Sequence, residues 1–144
     1  FSAVRPASAQ DQPAPLADRA RGAERVVVGL VQAVEPSWRV NEFGDRLIVS
    51  TLRVVSEETL KGQPASAIEI ELEGGTLDGV TLKVSDLPTF SPGERAVFFL
   101  RQNTRGRLVP HLRGQGLLKL DGANRVPGGT LTLAEIRRVV AAGR

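Results

Sequence analysis

DLPTFSPGERAVFFLR, residues 86–101, decides the fold of this chain. A Pro92-Gly93 turn leads into Ala96, Val97, Phe98, Phe99 and Leu100, five apolar residues in a row. Successive side chains on a strand point to opposite faces, so Phe98 and Phe99 cannot share one flat stacking surface. A short continuous apolar run is what a strand covered on both sides shows. One Phe is therefore expected inside a barrel and the other under a helix or loop. The chain has only five Phe, one Trp and no Tyr, and two of these six aromatics are spent here on core.

Outward from that strand the pattern is short strands and turns. From Glu24, ERVVVGLVQAVE is β-branched with Gly29 inside it, the mark of a bulge or tight bend. PSWRVNEFG reads as a loop, and DRLIVSTLRVVS as a second long strand. A turn at residues 60–66 precedes AIEIELEGG, where Ile68, Ile70 and Leu72 are expected to face inward and the alternating Glu69, Glu71 and Glu73 to form a solvated face. Shorter strands are expected in GVTLKVS, in RLVPHLR, which Pro110 consigns to an edge or bulge, and in GLLKL. Near the end Thr132 and Glu135 form a capping box, Leu133, Ile136, Val139 and Val140 make a helical stripe, and Gly143 is a stop. The prediction is an all-β fold, a small closed or partly open OB-like Greek-key barrel of about six or seven strands with one C-terminal α-helix over 132–142. The helix is expected over a barrel opening. A β-sandwich is the second architecture these strands allow.

Residues 23–144 suffice for a single domain with its own core. Residues 1–22 are rich in Pro, Ala and charge and read as an export-signal remnant and disordered linker. Within them Ala7, Ser8 and Ala9 match a signal-peptidase site, so the protein is expected to be exported, to the periplasm or beyond. No apolar run reaches the roughly 18 residues of a transmembrane helix.

The residue order in VVVGLVQAVE, in the second strand leading to ETLKG, in the Gly-Gly hairpin and in PTFSPGERAVFFL resembles bacterial relatives of the netrin-like domains. These OB-fold barrels include the tissue inhibitors of metalloproteinases. Leu60, Lys61, Gly62, Phe90, Gly93 and Glu94 carry the resemblance, which spans roughly residues 24–120. It implies the fold and a binding role. The inhibitors chelate a protease zinc through an N-terminal Cys, and this chain has no Cys, so that mechanism does not carry over.

Catalytic chemistry lacks the residues it needs. His111 is the only histidine, no nucleophile elbow or phosphate loop is present, and no metal or cofactor is expected. The candidates are contact residues instead. Trp38, Arg39, Phe43 and Arg46 place aromatics and arginines in one loop, a common interface composition. Residues 95–144 carry ten Arg or Lys against two acids, whereas residues 1–94 carry nine against fourteen. Arg101, Arg105, Arg107 and Arg113 are thus a second candidate surface, for a polyanion such as an anionic glycan. Nucleic acid is disfavoured because stacking aromatics are scarce. The expected function is a non-enzymatic exported module that binds a protein or cell-envelope component through loops, with polyanion binding as the alternative.

Overall fold

The computed structural model describes residues 13–143. Two 16-residue strands, β1 (Arg25–Val40) and β2 (Arg46–Lys61), form a long antiparallel hairpin. β2 then pairs with β3 (Ala67–Glu73). A separate small hairpin follows, β4 (Gly75–Leu77) with β5 (Val80–Leu82), turning at Asp78-Gly79. Strand β6 (Arg95–Gln102) returns to pair with the first part of β1. β7 (Leu108–Pro110) runs antiparallel to β6 and meets β3 in parallel at Ile70 and Leu108, which closes the ring β1-β2-β3-β7-β6-β1. β8 (Leu117–Leu120) lies beside β6 further along the same edge. The fold is the expected small barrel: among the described residues one six-stranded sheet contains the closed ring, and the separate β4–β5 hairpin brings the strands to eight.

The ring divides the apolar residues by strand alternation. Val27, Leu52, Ile70, Leu72, Phe90 and Phe98 fill the barrel, where the Phe90 and Phe98 rings lie 5.7 Å apart. Val26, Val28, Val97 and Phe99 point outward and are covered by α2 (Leu133–Ala142) through Leu133, Ile136 and Val140. The two phenylalanines thus part as strand geometry requires, and both are fully buried. The helix covers the outer wall of β1 and β6 instead of a barrel opening. Thr132 caps it by accepting from the Glu135 N–H, as the capping box predicts. Gly143 ends it with φ of −90°, a right-handed close in place of the left-handed stop.

A second helix, α1 (Leu16–Gly22), joins the same outer layer through Ala20, with Leu16 packed alongside. Sequence reasoning places a disordered linker there because LADRARG has no sustained stripe. Leu16 and Ala20 alone, spaced i and i+4, meet the wall. The expected cleavage motif at residues 7–9 lies outside the described residues.

Three turns share one plan. In NEFGD, NTRGR and DGANR the first side chain, Asn41, Asn103 or Asp121, accepts N–H bonds from the third and fifth residues. The fourth residue is left-handed in each: Gly44, Gly106 and Asn124. Such Asx turns organise the tip without help from the barrel, and they present the third residue outward. That residue is Phe43 in the first turn and Arg105 in the second, and both are exposed.

Candidate functional site

The β1–β2 hairpin outruns the barrel, because β6 pairs with β1 only from Arg25 to Leu30. Residues 36–40, expected in a loop, are therefore strand. Pro36, which has no N–H to give, is accommodated where the β1 edge away from β2 has no β6 partner.

Trp38 and Arg39 are neighbours on this strand and so face opposite sides. Trp38 shares its side with Ile48, its cross-strand partner. Its Nε1–H donates to Asp78 Oδ2 at 2.8 Å, and the Arg46 guanidinium carbon sits 4.3 Å from its ring centre. Asp78 belongs to the β4–β5 turn, which lies over this extension. Gly75 makes that approach: its φ is +138°, and any Cβ there would press on Ser50, Ile48 and Pro36. Trp38 is thus a half-buried brace between two hairpins. Beyond it the tip carries Phe43, 81% exposed, and Val40, 55% exposed.

Arg39 joins the other candidate group. Its Nη1 and Nη2 donate to Glu71 Oε1 and Oε2 at 3.2 and 3.1 Å, and Arg107 approaches the same carboxylate at 3.8 Å. Arg113 bonds Glu73 at 2.9 Å and also Asp86. These two carboxylates raise the Arg113 pKa, and Arg113 in turn holds Asp86 below the usual carboxylate range. Arg101 and Arg113 line one cleft with Glu71 and Glu73, while Arg105 stands apart on its turn. The expectation that Glu69, Glu71 and Glu73 form a wholly solvated face is corrected at Glu71, whose side chain is only 11% exposed.

The charge asymmetry along the chain closes in space. Arg95 pairs with Glu57, Lys119 with Glu94 and Arg137 with Glu58, at 2.9, 3.0 and 2.8 Å. With Arg107 and Arg113, these link the basic last third to the acidic first two thirds. Burial opposes the Glu94 charge, yet the Ser91 N–H and Lys119 outweigh it and keep its pKa low.

His111 stands against Gly22 at the end of α1. Burial, then the nearby Arg101 and Lys61 charges, lower its pKa, with Glu24 opposing. Lys61 itself donates to the Ala20 and Arg21 carbonyls, the free C-terminal acceptors of the helix. His111 therefore occupies a docking contact. Among the described residues no three His, Asp or Glu side chains converge as a metal site would need, and no helix is long and apolar enough to cross a membrane.

Sequence reasoning missed Asp78, although Asp-Gly between short apolar runs is a strong hairpin signal. It also missed Glu71, whose role follows only from strand register. Neither the protein-family models nor the curated proteins compared with the chain give a match.

Proposed function

We propose that this chain is a non-enzymatic binding module whose β1–β2 hairpin tip engages a protein partner, with Phe43 as the anchor. The observation that carries this reading is an 81% exposed Phe43 beside a 55% exposed Val40 on a braced hairpin. Aromatics are enriched at interfaces, and clustered exposed apolar side chains mark contact sites where scattered ones do not. The Asn41 turn and the Trp38–Asp78 bond hold the tip in place before any partner arrives, which lowers the ordering cost of binding. An exported setting and a relation to the netrin-like domains belong to the same proposal, supported by the leader composition and by the ring of five strands.

Polyanion binding through the arginines has less support, because Arg39, Arg107 and Arg113 already have carboxylate partners. Affinity capture from cell envelope and secretome, with wild-type and Phe43→Ala baits at low and high salt, separates the readings. A protein retained by wild type at both salts and lost with Phe43→Ala supports the tip. Equal retention by both baits overturns it, and retention that collapses with salt points to charge attraction instead.

A further inference from the structure

Between the β4–β5 hairpin and residues 83–90 the barrel opens into a cleft of about 330 Å³. Leu52 and Leu72 of the barrel interior form its floor, and Val34, Val84, Leu87 and Phe90 enclose it. Small-molecule sites are concave, largely apolar and furnished with a few placed polar groups. The polar side chains here are Ser50, which is 7% exposed and donates its hydroxyl to the Gly74 carbonyl at 2.7 Å, Thr76, Thr89, Glu73, whose carboxylate is paired with Arg113, and Lys83 at the rim.

The roof over this cleft is fixed by two cations. Arg113 holds Asp86. Lys119 donates to the Thr89 carbonyl at 2.6 Å and lies 4.8 Å from the Phe90 ring centre. Both are committed: Arg113 to Glu73 and Asp86, Lys119 to Glu94. Lys83 makes no ion pair among the described residues, so the one uncommitted charge at the cleft is positive.

We propose that this cleft binds a medium-chain aliphatic carboxylate, its chain against Leu52, Leu72 and Leu87 and its carboxylate at Lys83. The volume is at the low end for ligand sites, which suits one short chain and not a two-chain lipid. The site is separate from the hairpin tip and does not depend on what the tip binds.

The test is an amide-resolved NMR titration of the full chain with sodium decanoate below its micelle concentration, with decylamine as the cation of equal chain length. Decanoate is expected to shift the amides of Val34, Ser50, Leu72 and Phe90, and decylamine to bind more weakly. Lys83→Glu should weaken decanoate by about fivefold, the reach of a solvent-exposed charge contact. Val84→Trp should abolish binding by filling the cleft, and Phe43→Ala should leave it unchanged. No shift with decanoate, equal binding of the amine, or an unaffected Lys83→Glu variant would each overturn the proposal. Co-sedimentation with phosphatidylglycerol vesicles would overturn it in favour of a membrane surface.

Discussion

Arg39 reaches across β2 to hold Glu71 with both terminal guanidinium nitrogens, at 3.2 and 3.1 Å, and by doing so leaves the hairpin tip to Phe43. A bidentate fork of this kind is among the stronger charged contacts, since both carboxylate oxygens are satisfied in one geometry. It ties β1 to β3 across the intervening strand. It also takes Arg39 away from partner contact, although its neighbour in sequence is Trp38.

The pair should act on stability and not on binding. Arg39 keeps about a third of its side-chain surface in water while Glu71 is nearly covered, so solvent screening discounts the contact on one side only. Arg39→Ala is expected to cost about 1 kcal/mol, between an exposed ion pair and a buried charged hydrogen bond. A double-mutant cycle of Arg39→Ala with Glu71→Ala, read by urea unfolding, should return a coupling of about 1 kcal/mol. Purely additive losses would mean the fork contributes nothing.

Trp38 and Phe43 should separate cleanly. Trp38→Ala removes a half-buried ring, its hydrogen bond to Asp78 and the platform under Arg46, so a loss of about 2 kcal/mol is expected, below the range for fully buried aromatics. Phe43→Ala removes a side chain that touches mostly water and should stay within about 0.5 kcal/mol. Thermal unfolding of the two variants decides it. Equal destabilisation would make the tip part of the core.

The ease of reading the core strand and the difficulty of reading the site have one cause. Phe98 and Phe99 declare their roles because adjacent strand residues must face apart, whatever lies around them. Trp38 and Arg39 obey the same rule, but it becomes informative only once residues 36–40 are known to be strand. Pro36, Asn41 and Gly44 argue for a loop, and the length of the hairpin beyond β6 overrides them. A single residue of register would exchange the faces of Trp38 and Arg39. The same holds for Glu71, whose period-two setting marks a solvated face until the Arg39 fork covers it. Helix α1 was hidden for a different reason: its contact with the wall rests on Ala20 and Leu16, too small a stripe to stand out.

The docking of α1 should weaken in acid. His111 faces Gly22, Lys61, Arg101 and Glu24, and burial followed by the two cations lowers its pKa from the ordinary 6.5. Between the folded and unfolded values the unfolded chain binds more protons, so stability rises with pH. The contribution is complete above about pH 6.5 and is lost as pH falls through the lowered value. His111→Gln should flatten the dependence of the melting temperature below about pH 6.5, and limited trypsin cleavage at Arg19 or Arg21, taken as the ratio of wild type to variant at each pH, should rise in acid. A slope identical in the variant would assign the effect to carboxylates elsewhere.

Gly29 supplies the most local prediction. It lies on β1 where the register with β2 slips between Val28 and Gly29, and it pairs with Ala96 of the core strand on its other side. A Cβ placed there would run into the Val54 side chain and come within 3.0 Å of the Val55 carbonyl. The second of these is backbone and cannot swing aside, whereas Val54 is fixed inside the barrel. Gly29→Ala therefore gains strand propensity of up to about 1 kcal/mol but must open the β1–β2 ladder at its bulge, an overpacking cost of about 1–3 kcal/mol. The second effect is the larger, and a net loss of stability is expected, with faster amide exchange at Val54, Val55 and Ser56 than at Ile68 or Ile70. A variant as stable as wild type would mean that the bulge relaxes freely and that the close approach of the two long strands at Gly29 is not what holds the barrel wall.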